Sequence, residues 1–223
     1  MQNTLVLAAL ALVSGTVVAQ TSPTESSSAP EAVANTPLSA GNAWQFSATV
    51  LTFFVQNDRE YVQPIVEADR DWLHLEARFN YEGIDTGSLW VGVNLETGDE
   101  ESLRLEFTPM LGVAAGDTEG VAPGYRGTLS WQRFEFFSEG EWLFDTENSN
   151  DSFFYNWSEL TVAPIAQLRV GMATERTVLF QSDREIQRGL LLGYTGEKFD
   201  VRGIWFNPDD SDPIFVLSFG AGF

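Results

Sequence analysis

The sequence has no cysteine, a single histidine, and only 12 basic residues against 32 acidic ones. Without cysteine it has no disulfide framework, no thiolate metal site, no sulfur nucleophile and no lipid-modified N-terminal Cys. Hydrogen bonding and burial must therefore hold the fold together. A formal net charge of −20 excludes nucleic acid as a partner, because phosphate binding needs clustered Lys and Arg. Lys198 is the one lysine, every other basic residue being Arg. No stretch of helical periodicity is long, and no apolar run reaches the length of a membrane-spanning helix. What is abundant is aromatic side chains, 13 % of 223 residues, with 43 % hydrophobic overall. That is the composition of one folded domain and not of a disordered chain.

Two short regions precede that domain. Leu5 to Val18 is an apolar run of the length of an export-signal core, and Val17-Val18-Ala19 precedes an expected cleavage after Ala19. Met1-Gln2-Asn3-Thr4 lacks the usual Lys or Arg, a departure from that pattern. Residues 1–19 thus read as a signal peptide. Residues 20–43, rich in Ser, Thr, Pro and Ala, cannot bury enough surface to offset ordering entropy and read as a flexible leader.

From Trp44 to Phe223 segments of 8 to 12 residues alternate between apolar and polar positions, separated by Gly, Asp, Asn, Ser and Pro. Leu73, Leu75, Ala77, Phe79 and Tyr81 share one face, and His74, Glu76, Arg78 and Asn80 the other. Leu89, Val91, Val93 and Leu95 oppose Ser88, Trp90, Gly92 and Asn94. Leu103, Leu105, Phe107, Pro109, Leu111 and Val113 oppose Arg104, Glu106, Thr108 and Met110. The period is two, which is that of β-strands. A soluble β-sandwich alternates as well, but its polar face is outer surface, where Lys is common. Here Arg and Glu recur at mid-strand, two residues apart. A guanidinium fork satisfies several acceptors in a confined space, so this face suits an enclosed lumen.

Phe223, with Ala221, Phe219, Leu217 and Phe215 before it at every second position, resembles the C-terminal signature of bacterial outer-membrane β-barrels of the porin-like superfamily. The resemblance implies a closed antiparallel transmembrane barrel in the bacterial outer membrane, in contact with lipids and lipopolysaccharide. It also implies that Phe215, Leu217, Phe219 and Phe223 serve as the signal read by the barrel assembly machinery.

Twelve strands are expected, with ten as the alternative: 44–55, 60–68, 72–81, 87–96, 102–114, 124–137, 141–146, 152–163, 166–174, 186–195, 198–207 and 213–223. An even number puts both barrel ends on the periplasmic side. Short turns near Asp69–Asp71, Gly98–Glu100, Glu139–Gly140, Pro164–Ile165 and Gly196–Glu197 are expected there. The slipped alternation of Thr128–Phe137 suggests a bulge. Pro64, Pro109 and Pro164 must fall where the ladder needs no N–H. Trp44, Trp142, Trp205, Tyr81, Phe153 and Tyr155 are expected in the aromatic girdles.

Function is then a property of the lumen. Its wall is expected to carry Trp72, His74, Trp90, Asn94 and Glu159, with Glu76, Arg78, Arg104, Glu106, Arg133, Glu135, Arg169, Asp200 and Arg202 as selectivity elements. The reading is a narrow passive channel for small polar or ionic solutes, with Arg104 favouring anions. The alternatives are a plugged structural or adhesive barrel, in which the charges close on one another, and a secreted β-sandwich binding module. No cofactor or metal is expected and no enzyme: outer-membrane lipid hydrolases use a Ser/His pair on the lipid-facing wall, and His74 lies on the polar face beside Glu76. The acidic segments Asp145–Asp151 and Asn207–Asp212 offer oxygen ligands for Ca²⁺ or Mg²⁺ without EF-hand spacing, and read as solvated loops. Asn156-Trp157-Ser158 matches a glycosylation sequon by chance.

Overall fold

A computed structural model of the protein describes residues 43–56, 59–99, 102–179 and 185–223. The signal peptide and nearly all of the leader read from the sequence lie outside these residues. Among them are thirteen strands: β1 (Gln45–Val55), β2 (Tyr61–Arg70), β3 (Leu73–Phe79), β4 (Thr86–Val93), β5 (Leu95–Gly98), β6 (Arg104–Gly116), β7 (Gly120–Trp131), β8 (Phe134–Asp145), β9 (Phe153–Ile165), β10 (Leu168–Leu179), β11 (Glu185–Thr195), β12 (Phe199–Phe206) and β13 (Ile214–Gly222). Every strand but β4 and β5 pairs antiparallel with both of its chain neighbours; β4 and β5 instead pair with β6, and β1 pairs with β13. The sheet is therefore a closed ring, which excludes the sandwich.

The ring has twelve staves, because β4 and β5 pair in succession along β6: Gly92 faces Met110, and Leu95 faces Phe107. The break falls at Val93 and Asn94, which the register sets opposite Pro109 and Thr108, and the N–H that Pro109 lacks explains it. Pro64 sits one position beyond the β2–β3 ladder, whose last pair is Ile65 with Arg78. Pro164 lies where the β9–β10 register shifts. All three prolines thus occupy positions that the ladder can spare.

One expected boundary is wrong. Glu139 and Gly140 are mid-strand in β8, and the turn lies at Gln132–Arg133, with Gln132 in the left-handed region (φ 56). The β7–β8 register runs from Gly120/Asp145 to Trp131/Phe134 without a shift. The irregularity of Thr128–Phe137 is thus a turn between two strands and not a bulge. Parity inverts across it: Thr128 and Ser130 point inward before the turn, Glu135 and Phe137 after it.

Connections fall into two sets. The β2–β3, β5–β6, β7–β8, β9–β10 and β11–β12 connections, with both ends of the barrel, lie at one end (the turn end). The β1–β2, β3–β4, β6–β7, β8–β9, β10–β11 and β12–β13 connections lie at the other (the loop end). The outward face is predominantly apolar. Leu89, Val113, Met172, Leu190 and Leu192 are each more than half exposed. In water such a surface would aggregate, and in a bilayer it is the solvated face. Trp44, Trp142 and Trp205 lie on it. Tyr81, Phe153 and Tyr155 do not: they turn inward and pack against the lumen clusters. Among the described residues no helix is long and apolar enough to cross a membrane.

Candidate functional site: the lumen

The inward face brings charged residues of opposite walls into contact. On the wall of β2 and β3, Glu67 and Glu76 are direct cross-strand partners, as are Asp69 and His74. Two carboxylates side by side repel, and cations from both walls offset this. Arg78 Nε contacts Glu76 Oε1 at 2.5 Å, and its Nη1 crosses the lumen to Glu141 Oε2 on β8 at 3.0 Å. From β7, Arg126 reaches over to Glu67, with Glu76 Oε2 at 3.5 Å and Glu139 Oε2 at 3.4 Å from its Nη2. Tyr81 donates to Glu139 Oε1 at 2.5 Å. These bridges form a waist.

The guanidinium of Arg78 is further held between the rings of Tyr81 and Trp90, 4.3 and 4.5 Å from their centroids. Trp90 lies flat on the wall because β6 and β7 carry glycine beneath it: a Cβ on Gly112 would stand 2.4 Å from the indole, and one on Gly124 2.9 Å. Glu82, from the β3–β4 connection, folds back inside and accepts from Ser88 Oγ at 2.6 Å and Trp90 Nε1 at 3.2 Å.

The β9-to-β1 side of the lumen is filled differently. Phe53, Trp157, Ala173, Leu191, Ile204, Phe206 and Val216 form a buried apolar cluster, Phe206 and Val216 having no exposed surface. Toward the turn end, Arg202 donates to both oxygens of Glu159 at 3.2 and 3.1 Å and lies 3.1 Å from Asp200. Between this cluster and the waist lies a small cavity of about 50 Å³ that opens on solvent. Polar and charged groups of both walls line it, among them Gln63, Glu67, Arg126, Glu139, Glu159 and Arg202.

Of the expected selectivity residues, Glu76, Arg78, Arg104, Glu106, Glu135, Arg169, Asp200 and Arg202 all point inward. Arg104 sits between Glu96 (3.0 Å) and Glu106 (2.6 Å), and Arg169 meets Glu135 at 2.6 Å. Arg133 does not belong with them. It stands exposed in the β7–β8 turn and donates to the Pro164 carbonyl, a consequence of the misplaced turn. Trp72 is likewise exposed, at the β2–β3 turn. Glu67, Glu82, Arg126, Glu139 and Glu141 escaped the sequence reading. Alternation on β2 marked Glu67 as inward, whereas Glu82 lies in a loop and the β7–β8 residues were hidden by the wrong boundary.

The outward wall also carries polar groups. Tyr125, Ser138, Asn156 and Ser158 form one hydrogen-bonded set, with Asn156 Nδ2 donating to Tyr125 Oη at 3.0 Å and Ser158 Oγ to Asn156 Oδ1 at 3.1 Å. Mutual pairing makes this island tolerable against lipid. His74 is inside the barrel, so no Ser/His pair forms on that face. In the loop Asp145–Asp151, Asp145 Oδ1 accepts the backbone N–H groups of Glu147 and Asn148, and Asn148 caps the short turn after it. These oxygens hold the loop in shape.

No family model matches the chain, and no curated protein does. Solved structures do. The chain is similar to the KdgM porin, with a TM-score of 0.57 at 10 % identity over 79 % of this chain and 99 % of that one. It is similar to the KdgM porin in complex with disordered oligogalacturonate, with a TM-score of 0.56 over the same shares at 10 % identity. Omp33, an outer-membrane protein of Acinetobacter baumannii, is more distant, with a TM-score of 0.45 at 12 % identity over 82 % and 100 %. The chain is a closed ring of twelve antiparallel staves, with an apolar belt outside and charges inside, and its fold is that of the KdgM porin barrel.

Proposed function

We propose that this barrel is a narrow passive channel for small polar or ionic solutes, with its waist at the bridges of Arg78 and Arg126. The observation that carries the reading is the cavity beside those bridges, lined by charged groups of both walls and open to solvent. Buried polar atoms point the same way: Glu82 Oε2, Glu141 Oε1 and Arg126 Nε have no hydrogen-bond partner among the described residues. Orphaned buried groups of this kind are normally satisfied by water. Short connections at the turn end support its assignment as the periplasmic side.

The charge balance replaces the anion preference expected from Arg104. Glu67, Glu76, Glu82, Glu139, Glu141 and Glu159 outnumber Arg78, Arg126 and Arg202 in the middle of the lumen, and Arg104 is already held between two carboxylates. Such a field concentrates cations. Purified, folded protein in planar bilayers should give discrete ion steps with a reversal potential that favours K⁺ over Cl⁻. Arg126→Ala should raise the unitary conductance, because it removes the side chain that spans the lumen. A folded sample that never conducts ends this reading and favours the sealed barrel, to which the complete burial of Phe206 and Val216 gives independent support.

A further inference from the structure

Three donor groups on β2 and β3 meet in the turn-end half of the lumen. Glu67, His74 and Glu76 each present a ligand atom, all within 4.8 Å of one another, and all three side chains are buried. The histidine is arranged in a particular way. Its Nδ1 lies 2.8 Å from Asp69 Oδ1, and its Nε2 lies 3.1 Å from Glu76 Oε2. A carboxylate only accepts, so Asp69 requires the proton on Nδ1. In the neutral ring, Nε2 then aims a lone pair at the lone pairs of Glu76, and the contact is repulsive until a positive charge sits between them. Asp69 is itself fixed by Asn94, whose Nδ2 donates to the same Oδ1 at 2.7 Å.

From this geometry we propose a divalent-metal site made by His74 Nε2 and the carboxylates of Glu67 and Glu76, with Asp69 as the group that orients the ring. A carboxylate on the far nitrogen is the usual support of a metal-bound imidazole. One imidazole with two carboxylates suits a borderline ion of the Zn²⁺ or Co²⁺ class, with ligand distances of about 2.0–2.2 Å. Donor atoms around such a tetrahedral ion stand roughly 3.3–3.6 Å apart, so this cluster, whose atoms lie within 4.8 Å of one another, contracts to hold it. The electrostatics favour occupancy. Glu67, Asp69, Glu76, Glu139 and Glu141 surround two guanidiniums, Arg78 and Arg126, which leaves negative charge over. Arg126 is the competitor, since it lies on Glu67 and near Glu76. Metal and Arg126 share the same carboxylates, so an arriving ion draws the guanidinium off the β2–β3 wall. The site is defined by its donors and stands whether or not the lumen conducts.

The test uses tag-free, folded, full-length mature protein in detergent, titrated with Co²⁺ and followed by its visible absorption, with Zn²⁺ competition read by calorimetry. His74 is the only imidazole in the sequence, so a nitrogen-ligated cobalt spectrum has one source. Wild type should bind one ion saturably. His74→Ala should abolish the band, and Asp69→Asn should weaken binding about 10-fold or more. Arg126→Gln should tighten it. Heat-modifiable gel migration confirms that each variant is folded, and Glu67→Gln replaces any that is not. Folded wild type without saturable binding overturns the proposal and leaves His74 as an imidazolium between two carboxylates. Binding that survives His74→Ala undiminished also overturns it, placing the ions on the acidic loops.

Discussion

The two sides of this lumen are filled by opposite means. The β2-to-β8 side is ionic at its waist, beside a smaller apolar cluster of Trp90, Met110, Ala114, Ala122 and Leu143: Arg78 alone engages Glu76 and Glu141, and Arg126 engages Glu67 and Glu139. The β9-to-β1 side is an apolar core around Phe206 and Trp157, whose rings meet edge to face at 5.4 Å. The sheet that surrounds both is one continuous ladder, so the backbone does not distinguish them. What differs is how each side responds to loss of a group. An apolar core loses the contacts of the deleted atoms, while an ionic core loses a partner and leaves a charge uncompensated where water is scarce.

The largest effect is therefore expected at Arg78. Arg78→Ala leaves Glu76 and Glu141, both 3 % exposed, without their shared cation. The folded barrel should lose about 3–5 kcal/mol, measured from urea unfolding and refolding in micelles or vesicles. The double change Arg78→Met with Glu141→Gln should recover part of that loss, because it removes charge from both sides of the bridge. A loss under about 1 kcal/mol would be the value for a solvent-screened pair. It would erase the distinction between the two sides and mean that the ionic side is wet.

Phe206→Ala tests the apolar side. Deleting a buried ring costs about 3 kcal/mol, toward the low end for Phe because the neighbouring cavity allows some collapse. Unlike the Arg78 effect, this loss should not depend on salt. If the same variant raises conductance, the apolar cluster obstructs the path, and both sides form the waist.

How far these sides were legible in the sequence follows from what each depends on. The outer belt and the inward Arg and Glu of β3, β6 and β10 were readable, because alternation there is unbroken from turn to turn. The apolar side was not read as a distinct region: Phe206, Ile204 and Val216 belong to strands that are hydrophobic on both faces, and period two cannot separate lumen from lipid when neither face is polar. The waist was half legible. Arg78 and Glu76 lie two apart on a clean strand, but their partner Glu141 is separated from Arg78 by 63 positions. That partnership is set by ring closure and stagger, which no local pattern encodes. Arg126 and Glu139 were lost for another reason, a turn placed at Glu139–Gly140. Glycine there marks no turn; it gives room to the Tyr125 ring, whose Cε1 would lie 3.0 Å from a Cβ at Gly140.

The smallest effect distinguishes residues that share a charge but not a place. Arg169 and Arg133 both lie near the turn end, yet Arg169 is buried against Glu135, whereas Arg133 is exposed and its hydrogen bond is to a carbonyl. Arg133→Ala should change stability by no more than about 0.5 kcal/mol, as surface substitutions do, and should leave conductance and ion preference untouched. Arg169→Ala, measured beside it, should cost several times as much, because Glu135 loses the guanidinium at 2.6 Å. Equal small effects would mean that the turn-end vestibule is hydrated enough to screen Glu135. The ionic character of the lumen would then be confined to the waist, where Arg78 and Arg126 meet the opposite wall.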